Sequence, residues 1–333
     1  MKNINQTHPL RLATTIGLAM TMSIFLVSKT FTDQIWASAI GLALDPPLLR
    51  VQIKPGKSIT KTFTIENTDT ADKELVARIV PFSKSDNLGN PFLDLKSGTS
   101  WLKYFSLSNT NIKLNEPFTV KAKSKEQIII SLAIPENANL EDLYATLLIS
   151  TYNNSISTEN QGTLVSASIG ANLLVTVTAE VNPNTILKIE KITPLTGDII
   201  KIGRKYFADN LSPLTFSVTA TNDGLFLTEA KGTLKIINKK NSEVLQLQGI
   251  LPQYIIAKTS RQLQSNDSRP FNFSPNLKVI GPHLVSVDIK TENTNTSNSV
   301  EIFFLPFKAG IAVLISLILL KIIFSISHKK VDI

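Results

Sequence analysis

The side chains that most often carry enzyme chemistry are scarce in this sequence. It has no cysteine and only three histidines, His8, His283 and His328. Thiolate chemistry and disulfides are therefore excluded, and a histidine-based zinc site lacks ligands. His283 is the one histidine away from the chain ends, and the preceding Gly281-Pro282 indicates a turn at the start of a strand. We predict no catalytic residue, no bound metal and no cofactor.

Two groups of carboxylates leave a glycosidase as an alternative enzyme class. Glu141 and Asp142 are adjacent, and Asp69, Asp72 and Glu74 form the second group. Glycoside hydrolysis needs two carboxyl groups at a suitable separation. Both groups lie in polar segments that are typical of solvated turns. An exported, carboxylate-based glycan hydrolase is therefore the less favoured alternative.

Aromatic residues are the best candidates for ligand recognition. Trp101 is the one tryptophan after residue 39, and Tyr104 and Phe105 follow it closely. An exposed Trp101 with Tyr104 would form a platform for a sugar ring or a protein partner. A buried Trp101 would instead pin the two sheets of a sandwich together, which is the commoner role. We take Trp101 and Tyr104 as candidate ligand-binding residues and keep the core role of Trp101 as the favoured structural interpretation.

The segments that would hold these side chains have the alternation of β-strands. Apolar residues alternate with polar residues in runs such as 59–65, 214–221 and 285–290. A period of two is typical of strands that bury one face, and no amphipathic helical period appears between residues 40 and 300. Many short strands at intervals of about 8 to 12 residues predict antiparallel β-sandwiches.

The strand pattern divides near residues 181–184. Pro183 interrupts the first set of strands, and a new alternating strand starts at Leu187. We therefore predict an all-β fold with two tandem immunoglobulin-like antiparallel β-sandwiches, at residues 40–181 and 184–305.

Two asparagines form a weak internal repeat between the two parts. Asn67 ends the strand that contains Phe63, and Asn222 ends the strand that contains Phe216. Asparagine at a strand end usually forms a turn by bonding nearby backbone. We interpret both as turn formers rather than ligand contacts.

The N-terminus has the pattern of a secretory signal. Lys2 and Arg11 precede the apolar run 12–27, and the small residues Ala37-Ser38-Ala39 follow it. These features predict a signal peptide at residues 1–39. An uncleaved signal anchor is the alternative, because the spacing before Ala39 is long.

The C-terminus has the pattern of a membrane anchor. Residues 306–327 are almost wholly apolar, and the basic tail 328–333 follows. About 20 apolar residues in a helix cross a hydrocarbon core of about 30 Å, and a basic tail is typical of the cytoplasmic side. We predict a single transmembrane helix at 306–327 and a single-pass type I protein of the cell membrane, with residues 40–305 extracellular.

The net charge of +8 is concentrated at the two ends. Seven of the 34 basic residues and two of the 26 acidic residues lie in segments 1–39 and 306–333, which leaves residues 40–305 at +3. Binding to nucleic acid requires a dense basic surface. We therefore predict no nucleic-acid partner.

Several short motifs together resemble one family. They are Leu44-Asp45-Pro46-Pro47, the turn Pro55-Gly56-Lys57-Ser58, the strand end at Asn67, Trp101, Ile134-Pro135, Tyr144-Ala145 and Gly170 before Ala171. This set is similar to the first domain of the WxL-interacting protein family, and the second unit with its apolar C-terminus resembles the rest. Residues 137–142 depart from the Pro-Gly turn that members often have there. The family consists of exported, membrane-anchored bacterial surface proteins, with one domain assigned to peptidoglycan and one to a protein or host partner.

Together these features predict a non-enzymatic, membrane-anchored bacterial cell-surface protein. The resemblance implies that it binds peptidoglycan, a surface protein partner or both. The main alternative is a chaperone-like assembly subunit that binds by strand addition, which the same fold permits if a sheet edge is open.

Overall fold

A computed structural model describes residues 41–96, 98–152, 167–181, 183–203, 205–267 and 269–329, with side chains as far as Ile322. The predicted signal peptide at 1–39 lies outside the described residues, and so does the end of the predicted tail, 330–333. The predicted all-β fold is confirmed, because strands dominate the described chain.

The first sandwich is built from the strands before residue 178. They are β1 (Leu42–Asp45), β2 (Leu48–Ile53), β3 (Ser58–Asn67), β4 (Lys73–Ser85), β5 (Pro91–Leu93), β6 (Phe105–Leu107), β7 (Pro117–Val120), β8 (Lys125–Ala133), β9 (Asp142–Thr151) and β10 (Ser168–Val177). One sheet has the order β1-β3-β8-β6, and the other has the order β2-β10-β9-β4-β5, with β7 also paired to β4. The N-terminal strand changes sheets at Pro46-Pro47, where the Asp45–Pro46 peptide bond is cis.

Alternation explains the core between these two sheets. Phe63 and Ile65 on β3, together with Ile128 and Ile130 on β8, are at most 2% exposed. The residues between them point outward and are polar or partly exposed. Burial of one face of each strand therefore holds the first sandwich together.

The second sandwich is built from the strands after residue 186. They are β11 (Leu187–Thr196), β12 (Ile199–Ile202), β13 (Lys205–Asp209), β14 (Leu214–Asn222), β15 (Thr228–Asn238), β16 (Val244–Ile255), β17 (Thr259–Leu263), β18 (Phe271–Phe273), β19 (Gly281–Lys290) and β20 (Asn295–Leu305). One sheet has the order β11-β14-β17, with β18 also on β14, and the other has the order β12-β13-β20-β19-β15-β16. Its core includes Phe216, Phe271 and Phe304, each at most 1% exposed.

The sequence pattern predicts purely antiparallel sheets, but each sandwich contains one parallel pair of strands. β2 runs parallel to β10, and β13 runs parallel to β20. In each sandwich an early strand lies beside the last strand, which continues in the same direction. Alternating hydrophobicity reports the buried face of a strand and not its direction, so this pairing leaves no mark on the pattern.

The two sets of strands pair within themselves, and the predicted division at 181–184 falls between β10 and β11. Even so, residues 42–333 form one compact unit. Contacts between the two sandwiches are therefore part of the described structure.

A helix, α1 (Phe307–Lys329), follows β20 directly. Asp209 of the second sandwich fixes its start, because the carboxylate accepts the Lys308 backbone N–H at 2.8 Å. The Lys308 Nζ atom also lies 2.7 Å from the Asp198 carboxylate. Within the part of the chain that the structure describes, no helix combines the length and apolar character needed to cross a membrane, so the predicted transmembrane helix at 306–327 is not supported.

Candidate functional site

The two sandwiches meet at an apolar cluster on the outer face of the first six-stranded sheet. Phe82 on β4, Tyr144 on β9 and Leu174 on β10 are buried there against Leu227 and Ile256 of the second sandwich. The Phe82 and Tyr144 rings stack with centroids 5.7 Å apart and an interplanar angle of 20°. We call this contact the junction.

Asp142 connects the two sandwiches by hydrogen bonds. Its carboxylate accepts the Tyr144 hydroxyl at 2.6 Å, the Thr176 hydroxyl, and the backbone N–H of Leu227 in the second sandwich. The Tyr144 oxygen in turn accepts the Ala257 N–H at 3.2 Å. The interpretation of Asp142 as a solvated turn residue is therefore wrong. It opens β9, and the strand places it beside Tyr144 at the junction.

Burial raises the pKa of the Tyr144 hydroxyl, and the Asp142 charge raises it further. Tyr144 therefore remains a neutral donor at ordinary pH. The other predicted carboxylate group behaves as a surface turn: Asp69 pairs with Lys73 at 2.6 Å, and Asp72 accepts the Ala122 N–H at 2.8 Å.

A cavity of about 260 Å³ opens beside the junction, and we call it the Trp101 pocket. Its lining residues are Pro81, Phe82, Ser83, Asp94, Thr99, Trp101, Asp142 and Tyr144. The Thr99 hydroxyl is buried without a hydrogen-bond partner. Aromatic rings, carboxylates and hydroxyls thus share one small cavity.

Trp101 has a part in both the core and this pocket. It is partly buried, it packs against the first core, and its ring meets Phe105 edge-on at 6.1 Å. The sequence pattern predicts a strand at Trp101, but the residue does not lie on one. Residues Ser100–Tyr104 form a 3₁₀ helix, with the Leu102 N–H bonded to the Thr99 carbonyl.

Tyr104 does not join Trp101 at the pocket. It is partly buried against the first core and is absent from the pocket lining. One residue of the predicted pair therefore lines a cavity, and the other packs. Sequence reasoning missed Phe82, and it named Asp142 and Tyr144 without placing them in one site. Their two-residue spacing on a strand puts both on one face.

The turn between β4 and β5 packs against the second sandwich. The Asn87 carbonyl accepts the Gln262 N–H at 2.7 Å, and the Arg261 guanidinium lies against Gly89. Arg261 also donates to the Tyr254 carbonyl at 2.7 Å. Burial lowers the pKa of Arg261, and the nearby Asp86 charge opposes this effect.

His283 lies in the second core, where a catalytic role is not available to it. The residue is fully buried, its Nδ1 atom lies 3.0 Å from the Gly281 carbonyl oxygen, and its ring contacts Phe304 edge-on at 5.2 Å. The Nε2 atom is buried without a partner. Burial lowers the pKa of His283. Among the described residues, no three metal-ligating side chains lie together.

A larger groove of about 810 Å³ runs over the outer face of the other sheet of the first sandwich. Glu66 and Lys125 line it and pair with each other at 3.2 Å. Thr64 and Gln127 add uncharged polar groups. This groove has no aromatic lining residue, and Asp45 and Glu126 add two carboxylates to the Glu66–Lys125 pair.

The first six-stranded sheet ends at β2, which pairs with β10 on one side only. The Pro47 carbonyl accepts the Asn172 N–H at 2.9 Å, and the Ile53 carbonyl accepts the Thr178 N–H at 3.0 Å. Backbone groups alternate sides along a strand. The N–H and C=O groups of Leu48, Arg50 and Gln52 therefore face away from β10, and we call this row the β2 edge.

Other long edges in the described structure are interrupted or covered. β11 contains Pro194 and two register shifts against β14. β16 is partly covered, because the Leu251 N–H donates to the Gln264 carbonyl and the Asn266 N–H donates to the Gly249 carbonyl. The pairing of β2 with β10 has no shift over six residues. The β2 edge is thus the most regular open edge of six or more residues in the described chain.

Comparison with known proteins adds similar shapes but no family. No family model matches the chain, and no curated protein matches it. A chaperone–tip adhesin complex of CFA/I fimbriae shares 8% identity, covers 78% of this chain and 98% of its own, and has a TM-score of 0.38. The E. coli chaperone DraB shares 12% identity, with 79% and 96% covered and a TM-score of 0.34. The Pseudomonas aeruginosa CupB2 chaperone shares 9% identity, with 76% and 97% covered and a TM-score of 0.34.

These similarities are too low to carry an argument about function. The resemblance to WxL-interacting proteins and the cell-membrane location likewise stay predictions.

Proposed function

We propose that this chain is a non-enzymatic binding protein that holds an extended segment of a partner polypeptide by strand addition at the β2 edge. The observation that supports this most directly is the regular six-residue strand β2 at the edge of its sheet. The backbone groups on its outer side pair with no strand of the described chain. This is the alternative function stated from the sequence, and it now takes precedence over peptidoglycan binding. The predicted signal peptide would place the contact outside the cytoplasm.

The β2 edge offers enough backbone for recognition. Six strand residues span about 20 Å and present three N–H groups and three C=O groups outward, at Leu48, Arg50 and Gln52. Such rows are templates for a further strand, and proteins normally block them with bulges, prolines or short strands. Here the prolines, Pro46 and Pro47, precede β2 and do not interrupt it.

The side chains of β2 indicate what sequence the partner segment would have. Val51 and Ile53 face the core, whereas Leu48 and Gln52 are exposed. A strand added beside β2 would continue both faces of the sheet. An alternation of apolar and polar residues in the partner would therefore fit best, with the apolar residues extending the core beside Val51 and Ile53.

The absence of catalysis in this proposal is supported by the positions of two reactive groups. His283 is enclosed in the second core. Asp142, one of two carboxylates in the Trp101 pocket, accepts three hydrogen bonds, one of them from the second sandwich.

A labelled peptide of alternating threonine and valine, about seven residues long, tests the proposal by fluorescence anisotropy. We expect it to bind the full chain. Methylation of the peptide nitrogens on alternate residues removes the donors of one edge while leaving the side chains in place. One of the two alternate methylation patterns should abolish binding, and the other should preserve it.

Substitutions in β2 provide the matched controls. Arg50→Pro removes the outward N–H of Arg50 and should weaken peptide binding at least about tenfold. Arg50→Ala keeps the backbone donor and should bind nearly as well as the unmodified chain. Equal loss in the two variants, or equal binding of both methylated peptides, would show that the β2 edge does not add a strand.

A further inference from the structure

We propose that the Trp101 pocket binds a cationic side chain, a lysine or an arginine, of a polypeptide partner. The inference rests on the proposed function, because it names a second contact of the same partner. It concerns a different surface from the β2 edge, so the two contacts can be tested separately.

Three aromatic rings supply the first part of the argument. Trp101, Phe82 and Tyr144 all line the pocket, and Phe82 and Tyr144 are held in a stack by the junction. A cation over the face of an aromatic ring is attracted by the ring quadrupole, most strongly by tryptophan. The rings are held by packing against the core and the junction, so little ordering is needed when a ligand enters.

Two carboxylates supply the second part. Asp142 lies at one wall, where its carboxylate accepts three hydrogen bonds. Among the described residues, no ion pair includes Asp142. Asp94 is exposed and also lines this pocket. One of its carboxylate oxygens accepts the Lys96 backbone N–H at 3.1 Å.

The size and remaining polar group of the cavity fit one side-chain head group. Its volume of about 260 Å³ lies just below the range of about 300 to 1,000 Å³ that small-molecule sites usually have. The buried Thr99 hydroxyl lacks a partner in the pocket wall, and an ammonium or guanidinium N–H group would satisfy it as an acceptor. The combination of carboxylate acceptors and aromatic faces therefore favours a cation over a neutral sugar.

Tryptophan fluorescence of the full chain tests this directly. In a Trp36→Phe variant, Trp101 is the one remaining indole. We expect saturable changes in its emission with the amides of N-acetyl-arginine and N-acetyl-lysine, and none with the amide of N-acetyl-glutamine or with a chito-oligosaccharide. A response to the oligosaccharide but not to the cations would identify a sugar site and overturn the proposal.

Charge variants separate binding at the pocket from a general effect of charge. Asp94→Asn should weaken binding of the arginine amide about threefold to fivefold, as expected for an exposed charge. Asp72→Asn, at a surface turn outside the pocket, should leave binding unchanged. Equal effects of the two variants, or no saturation with either cation, would contradict the proposal. The alternating peptide at the β2 edge contains no charge, so its binding reports on the proposed function independently.

Discussion

Trp101 shows how one residue serves two structural roles. Its ring contacts Phe105 edge-on and packs against the first core, while another part of it lines a pocket with Phe82 and Tyr144. The core interpretation of Trp101 is therefore supported in part, and its role as a binding platform stays a prediction.

Removal of the Trp101 ring should destabilise the protein. We expect Trp101→Ala to lower the free energy of unfolding by about 3 kcal/mol, at the lower end of the range for buried tryptophan because the ring is only partly buried. Phe92→Ala is the control: Phe92 is 61% exposed, and its loss should change stability by at most about 0.5 kcal/mol. Urea unfolding monitored by circular dichroism measures both. Unchanged stability of Trp101→Ala would mean that the ring is only a platform.

His283 should make stability depend on pH. Burial lowers its folded pKa below the ordinary value of about 6.5, so between these two values the unfolded chain binds a proton that the folded chain does not. Stability therefore rises with pH through this window and falls on acidification below about pH 6.5. We expect this slope to disappear in His283→Gln, in unfolding experiments between about pH 5 and 7.5. A slope of the same size in both proteins would assign the effect to other groups.

At the scale of elements, two buried asparagines terminate equivalent strands in the same way. Asn222 at the end of β14 donates to the Phe226 and Ile255 carbonyls at 2.9 and 3.0 Å and accepts the Gly224 N–H at 2.9 Å. Asn67 at the end of β3 donates to the Ala71 carbonyl and accepts the Asp69 N–H. Their interpretation as turn formers is confirmed. Each side chain also ties its turn to a neighbouring segment of the same sandwich.

Asn222→Asp should disrupt this turn, because a carboxylate cannot donate to the two carbonyls and would be buried with its charge. We expect a loss of about 3 kcal/mol in the free energy of unfolding. Asn111→Asp makes the same chemical change at an exposed position and should have little effect. Thermal unfolding of the two variants at neutral pH is the measurement, and equal melting temperatures would contradict the role of Asn222.

Alternation in sequence predicts the elements better than it predicts the site. The period of two in 214–221 predicts which face of β14 is buried, because the apolar side chains of a strand with one buried face must all lie on that face. The 3₁₀ helix at Ser100–Tyr104 and the junction depend on contacts between distant segments. The pairing of Asp142 with Leu227 spans 85 residues, and no local pattern encodes it. For this reason the sequence identifies Trp101 but not the pocket around it.

At the scale of the whole molecule, the junction joins the two sandwiches into one unit. The apolar contacts of Phe82 and Tyr144, the hydrogen bond from the Leu227 N–H to Asp142 and the turn at Gly89 all join the two sandwiches. We therefore expect a coupled unfolding of the two sandwiches, rather than the independent unfolding that the predicted division at 181–184 would permit.

Gly89 tests this coupling. It has φ +89°, and an added Cβ would overlap the Arg261 guanidinium. Gly203 has φ +60° and open space around it, so Gly203→Ala should cost only the left-handed backbone term of about 1 to 2 kcal/mol. Gly89→Ala should lower the free energy of unfolding by more than Gly203→Ala does, because of the overlap with Arg261. In a double-mutant cycle, Arg261→Ala should remove this additional loss. Additive effects of Gly89→Ala and Arg261→Ala would show that the turn does not bear on the second sandwich.

The central claim is that β2 is an open edge that accepts a partner strand. β11 is the internal comparison, since its edge is interrupted by Pro194 and two register shifts. Hydrogen exchange followed by NMR, with and without the alternating threonine–valine peptide, resolves the two edges residue by residue. We predict that the peptide slows exchange of the Arg50 and Gln52 amides and leaves the amides of Leu187–Thr196 unchanged. Unchanged exchange along β2 in the presence of bound peptide, or protection on β11 instead, would contradict the claim.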